Sequence, residues 1–162
     1  MGLSCARNLP ATNVTYYDAI LYANELSKKQ SYDTAYIYTK AEFDGQGSCV
    51  NLEGLAFDPA KEASRLPTEA EWVYAATRDW DASRSWNSGN SNYKVHAVCS
   101  AKPNRYGLCD MAGNVMEWVN DRLSPLHDSE YVDFIGRQEA ANLEEIVIKG
   151  GSFRNAESGL NY

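Results

Sequence analysis

No apolar run in this chain approaches the roughly 18 residues that a transmembrane helix needs. The opening Met1-Gly2-Leu3-Ser4-Cys5 is far too short to be a secretory leader. The start and the end both read as cut edges, which leaves room for a leader that has been removed. Basic clusters are missing too, and the formal net charge is -7. An acidic surface repels a phosphate backbone, which argues against nucleic-acid binding. It does not hinder binding to cations or neutral glycans. The four cysteines, Cys5, Cys49, Cys99 and Cys109, form no Cys-x-x-Cys pair. Neither a zinc ribbon nor a thioredoxin-type motif is therefore supported. Only two histidines occur, His96 and His127. No second ligand is spaced with either, and both read as surface residues. No internal repeat or low-complexity linker divides the chain.

What is present fits one domain with a sizeable core: 162 residues, 44% hydrophobic and 23% charged. Eleven Tyr and four Trp suit a loop-rich domain in which aromatic side chains pin irregular backbone. Cys99 and Cys109 flank a short Pro-containing loop and are placed to be bridged across it. That bridge would indicate an oxidising compartment. Free buried thiols are the alternative for all four cysteines.

Two helices are marked by their caps. Thr15 with Asp18 three residues later reads as a capping pair. Ala19, Ile20, Ala23 and Leu26 then form an apolar stripe, and Ser27-Lys28-Lys29-Gln30 closes the helix with positive charge. The second helix begins in Arg65-Leu66-Pro67-Thr68-Glu69-Ala70-Glu71-Trp72, with Thr68 at the cap and Glu71 at the third helical position. Trp72, Ala75 and Ala76 supply its buried face. Capping accounts for Glu69 and Glu71 without invoking a catalytic carboxylate pair.

Between and beyond the helices the strand signals are short. Thr34 to Tyr38 reads as a strand, followed by a hairpin or irregular segment holding Gly45, Gly47 and Gly54, and its predicted partner is Val50-Asn51-Leu52. Glu145 to Lys149 is a β-branched strand that turns at Gly150-Gly151. The runs 79–104 and 121–142 read as irregular loops, a kind of segment that often carries function.

Three motifs sit in order: Arg65 to Trp72, then Asn104 to Trp118, then Lys149-Gly150-Gly151-Ser152-Phe153. Together they resemble the formylglycine-generating-enzyme, or sulfatase-modifying-factor, family. Val14 to Ala19 is similar to that family's first helix start, and the likeness covers about residues 11 to 153. The Tyr-rich opening is also similar to paralogues in fibre-degrading bacteria. The resemblance implies an α+β variant of the C-type-lectin fold, with two helices, short antiparallel strands and many loops. A single such domain over residues 1–162, truncated at its C-terminus, is expected.

The resemblance further implies calcium at the segment Asp110 to Glu117. By position, Asp110 and Glu117 would give side-chain oxygens, and Gly113 and Val115 main-chain carbonyls. Calcium takes 6 to 8 oxygen ligands and tolerates irregular geometry. An acidic turn that binds nothing, with Trp118 in the core, is the alternative. The family's second calcium loop matches roughly 87–100, where no acidic ligand stands, so nothing is assigned there.

The authentic oxidases of the family place two cysteines after the Gly-Gly-Ser motif to hold copper(I). Here Asn155 stands where the first is expected, and the chain ends about where the second would come. A neutral amide is no thiolate ligand for a soft ion. The iron-dependent branch needs a His-rich helical domain, which two histidines do not make. The chain therefore reads as a non-catalytic recognition module binding carbohydrate or protein, outside the cytoplasm. The alternative is a copper-dependent oxidase that converts a substrate cysteine to formylglycine. Trp80, Trp86, Asn87, Asn90, Asn92 and Tyr93 have the chemistry to contact a ligand, and hydrated loop with anchoring aromatics is the competing reading. An exposed strand edge at a truncated end would favour self-association.

Overall fold

The computed structural model is described over residues 8–123 and 145–160. Among these residues there are two α-helices, α1 (Tyr16–Lys29) and α2 (Glu69–Thr77). There are six short strands: β1 (Tyr36–Ile37), β2 (Lys40–Phe43), β3 (Cys49–Glu53), β4 (Ala56–Phe57), β5 (Glu117–Arg122) and β6 (Ile146–Lys149). The strands pair as β1 with β4, β2 with β3 and β5 with β6. The chain gathers into two compact units. One comprises described residues 8–12, 71–117 and 148–160; the other comprises 13–70, 118–123 and 145–147.

The second of these units is built on α1. The Thr15 hydroxyl accepts the Asp18 amide at 3.0 Å, and the Asp18 carboxylate accepts the Thr15 amide at 3.0 Å, so the predicted capping pair forms in full. The same two side chains reach β3. Thr15 donates its hydroxyl to the Cys49 carbonyl at 2.6 Å, and Asp18 accepts the Cys49 amide at 2.8 Å. Cys49's amide thereby holds the Asp18 carboxyl below its ordinary range. Helical spacing puts Tyr16, Ile20, Ala23, Asn24 and Ser27 on the buried face. Tyr16, Ile20 and Ala23 pack with Ala35, Tyr36, Cys49 and Leu52 to form the core. Of the expected stripe, Ala19 and Leu26 are only half-buried. Trp118 is half-buried as well. It meets Tyr16 edge-to-face and donates its indole N–H to the Val14 carbonyl at 3.2 Å.

The predicted pairing of Tyr36-Ile37-Tyr38 with Val50-Asn51-Leu52 is not what forms. Tyr36 lies opposite Phe57 and Ile37 opposite Ala56, while Ala41 faces Leu52 and Glu42 faces Asn51. The reason is local. Asp44 Oδ1 accepts the amides of Gln46 and Ser48, and Asp44 N donates to the Ser48 carbonyl. This turn brings the nearest residues, β2 and β3, together first, at the smallest loop-closure cost.

Helix α2 starts directly after Thr68, as read from the sequence. Its Glu69 amide donates to Asp121 Oδ2 of β5 at 2.7 Å, a cap brought from far along the chain. Trp72 and Ala76 are buried, and Ala75 is half-buried. Strand β6 falls where Glu145 to Lys149 was expected. Asp121 and Arg122 belong to β5 rather than to a loop; positions 124–144 of that expected irregular run lie outside the described residues, as do Cys5 and His127.

The other unit is mostly loop, apart from residues 71–77 of α2 and short 3-10 turns at Ala82–Arg84 and Glu157–Gly159, and it is tied by side chains. Cys99 and Cys109 form a disulfide, which selects the bridged reading of that loop. Cys49 is a free, buried thiol.

Candidate functional site

The segment from Asp110 to Glu117 is folded by three left-handed positions of its backbone. Asp110, Gly113 and Asn114 all have positive φ, at 56°, 76° and 57°. Asp and Asn are among the few non-glycine residues that enter this region readily. A Cβ at Gly113 would sit 2.3 Å from the Trp86 carbonyl oxygen, so the chain needs glycine there for space as well as for φ. Gly113 N donates to the Gly150 carbonyl at 2.9 Å, and Gly150 and Gly151 also have positive φ.

Asn114 is the knot of this unit. Its amide donates to the Trp86 carbonyl and its carbonyl accepts from Phe153 N, both at 2.8 Å. Its side chain exchanges hydrogen bonds with the main chain of His96, at 3.1 and 3.2 Å. Fully buried, it joins the loop at Trp86, the loop at His96 and the turn after β6. Sequence reasoning passed over it, although a Gly-Asn pair at a turn was the available signal.

The two bracketing carboxylates are each partly engaged. Asp110 Oδ2 accepts the Cys99 amide at 2.9 Å, beside the disulfide. Glu117 Oε2 accepts the Trp72 indole N–H at 2.6 Å. Burial pushes the Glu117 carboxyl above its ordinary value, the Trp72 hydrogen bond opposes this, and the charge of Asp110 adds to it. These hydrogen bonds use one oxygen of each carboxylate and leave Asp110 Oδ1 and Glu117 Oε1. Among the described residues no three His, Cys, Asp or Glu side chains are gathered as a metal site. A cation here would rely on these two carboxylates and on main-chain carbonyls, a donor set of hard oxygens that suits calcium.

The turn after β6 is closed by Asn155. Asn155 Oδ1 accepts both the amide and the hydroxyl of Ser152, at 2.9 and 2.8 Å. Its own amide donates to the Ser152 carbonyl at 3.0 Å, and its carbonyl accepts from Ser88 N at 2.9 Å. Beside this turn lies a groove of about 180 Å³, lined by Met116, Ile148, Lys149, Gly150, Gly151, Asn155 and Gly159.

The loop residues singled out for ligand contact divide into two groups. Asn87 and Asn90 brace their own loop: Asn90 Oδ1 accepts Asn87 N, and Asn90 Nδ2 donates to the Ser85 carbonyl. Trp80 meets Trp72 edge-to-face. Trp86 stacks flat on His96, with ring centroids 3.6 Å apart, and donates to Ser100 Oγ. His96 is thus half-buried packing rather than a free surface residue. Asn92 and Tyr93 are presented to solvent.

Similar proteins are known both by sequence and by structure. Chaperone protein LppX of Paenibacillus barcinonensis is 29% identical over an alignment of 141 residues, covering 67% of this chain and 50% of that protein. The formylglycine-generating enzyme of Streptomyces coelicolor is 33% identical over 124 residues, covering 60% of this chain and 38% of that protein. The chain spans half or less of the length of these curated relatives. Among solved structures, Treponema denticola variable protein 1 superposes with a TM-score of 0.72 at 30% identity, over 93% of this chain and 62% of that one. The fold is the α+β, C-type-lectin-like fold of formylglycine-generating enzymes. The model of the sulfatase-modifying factor enzyme 1-like domain matches residues 2–161, and the chain belongs to that family.

Proposed function

We propose that this chain is a non-catalytic recognition module on the formylglycine-generating-enzyme scaffold, stabilised by calcium and binding a carbohydrate or a protein. The observation that carries this reading is Asn155. It occupies the position where the oxidases place a cysteine, and its carboxamide oxygen is committed to Ser152. An amide oxygen that closes a turn is no substitute for a copper(I) thiolate. Cys99 and Cys109 are joined to each other, and Cys49 is buried in the core of the other unit. The remaining groove beside Lys149 to Asn155 offers a hydrophobic wall, an amide and a main chain bent by two glycines. Such a mixed surface suits ligand binding. One relative is named a chaperone rather than an oxidase.

Calcium would be held by Asp110 and Glu117 through carboxylate oxygens and by Gly113 and Val115 through carbonyls. When bound it supplies the positive charge that two neighbouring carboxylates require. The Cys99–Cys109 disulfide supports a location outside the cytoplasm.

Two measurements test the reading. Reduced protein is titrated against a calibrated copper(I) chelator; no competition is expected, and tight one-to-one binding would overturn the non-catalytic assignment. Thermal unfolding is then followed in chelator and in calcium. At about 100 Kd of calcium the stabilisation is about 2.7 kcal/mol, a rise of roughly 5 to 10 °C. Asp110→Asn with Glu117→Gln is expected to abolish that rise, and an unchanged midpoint in the parent protein would remove calcium from the proposal.

A further inference from the structure

The acidic chain pairs several of its cations with carboxylates: Lys28 with Glu25, Lys40 with Glu42, Lys61 with Asp33, and Arg84 with Asp79 and Asp81. Arg78 and Arg105 are treated differently. Among the described residues neither has a carboxylate partner. Each lies over a tyrosine ring instead, Arg78 at 4.4 Å from the centre of Tyr74 and Arg105 at 5.8 Å from that of Tyr106. The two rings stack with centroids 6.3 Å apart. Tyr74 and Tyr106 are 56% and 48% exposed, and both arginines are exposed.

This cluster is built, not incidental. Tyr74 lies in α2 and Arg78 directly follows it, one turn apart, so their side chains share a face. Arg105 and Tyr106 sit on a turn organised by Asn104. That side chain donates to the Ala75 carbonyl of α2 at 2.9 Å and accepts the amides of Tyr106 and Leu108. Asn104 N donates to the Leu108 carbonyl, and Gly107 N to the Asn104 carbonyl. The turn is thereby clamped to the helix. The neighbouring Tyr106 hydroxyl first, and the charge of Arg78 second, hold the Tyr74 hydroxyl below its ordinary value, while Tyr74 raises that of Tyr106.

We infer that Tyr74, Arg78, Arg105 and Tyr106 form a docking surface for an acidic polysaccharide. Two unpaired guanidinium groups offer planar forks for carboxylate or sulfate. The phenol hydroxyls between them offer donors and acceptors for sugar hydroxyls. A peptide is the poorer match, because the amides of Asn104, Tyr106, Gly107 and Leu108 are already engaged and the cluster itself contains no strand for a peptide to pair with. An acidic protein also repels a polyanion everywhere except at such a patch. The surface shares no residue with the groove beside Lys149 to Asn155, and the inference stands whether or not that groove binds anything.

The test uses the full chain and isothermal titration with four probes: polygalacturonate oligosaccharides, heparin oligosaccharides, neutral dextran and poly-glutamate. Binding of one or both acidic glycans, weakened by added salt, with none to dextran, is expected. Preference for polygalacturonate assigns the carboxylate as the recognised group, and preference for heparin assigns the sulfate. Arg78→Gln with Arg105→Gln is expected to weaken binding at least about tenfold with an unchanged circular dichroism spectrum. Arg105→Lys, which keeps charge but not the fork, is expected to fall between. Should the double variant lose its fold, Arg105→Gln alone carries the comparison, since that residue is exposed on a turn. No binding to either acidic glycan, tighter binding to poly-glutamate, or affinity unchanged by the arginine substitutions would overturn the inference.

Discussion

Gly113 shows how one residue can be fixed from outside its own turn. Its φ of 76° disfavours any side chain, and the Trp86 carbonyl oxygen fills the place of a Cβ. Gly113→Ala is expected to destabilise the protein by on the order of 3 kcal/mol, read from urea unfolding. Gly45→Ala, with nothing within 4 Å of the added atom, is the control and is expected to change little. Equal effects at the two sites would show that the Trp86 contact is not the cause. That a glycine was needed in the Gly113-Asn114 turn could be read from the sequence. That Trp86, 27 positions earlier in the chain, supplies the obstacle could not. The same holds for Asn155: its type was visible, and its hydrogen bonds to Ser152 were not.

At the scale of elements, cap chemistry was legible and strand pairing was not. Thr15 and Asp18 act within four residues, so the sequence alone defines their partnership. Two-residue strands such as β1 and β4 carry almost no periodic signal, and their register depends on the turn at Asp44 that comes between them. Where local order is this sparse, covalent staples gain weight. The Cys99–Cys109 disulfide closes a loop with a sequence separation of 10 on the unit that holds few regular elements. Its reduction is expected to cost about 2 to 3 kcal/mol and to lower the thermal midpoint by several degrees. A midpoint that does not move on reduction, with free thiols counted to confirm cleavage, would show the loop to be held by its hydrogen bonds alone.

For the molecule as a whole, burial of tyrosine sets a limit at high pH. Desolvation raises Tyr16 to about 12 and Tyr36 higher still, against an ordinary value of 10.0. Tyr16 donates to the Asn120 carbonyl, and Tyr36 donates to Asn120 Oδ1 while accepting Leu66 N. A folded value above the unfolded one means that the folded state keeps its proton longer. The stability from these groups is complete below pH 10 and is lost as pH rises through the folded values. Each contributes on the order of 3 kcal/mol. Unfolding free energy is therefore expected to be level to about pH 10 and to fall steeply toward pH 12, with some tyrosines ionising only as the chain unfolds. Tyrosinate absorbance that rises in a single non-cooperative step for all eleven tyrosines would contradict this. Tyr36→Phe is expected to make the alkaline fall shallower.

By itself, the sequence determined the helix starts, the glycine turns, the bridgeable cysteines and membership of the family. Each of these rests on residues close together in the chain, whose stereochemistry acts before any distant contact forms. Tertiary structure alone decided which strands pair, that Asp121 caps α2, that Asn114 ties three loops together, and that Arg78 and Arg105 share one aromatic surface. Those outcomes join residues separated by intervening chain, from Ala41 and Leu52 across one turn to Tyr74 and Tyr106 or Glu69 and Asp121 across several elements. Their partners are fixed only when the intervening chain has folded back, because loop closure and packing, rather than local propensity, select among the possible contacts.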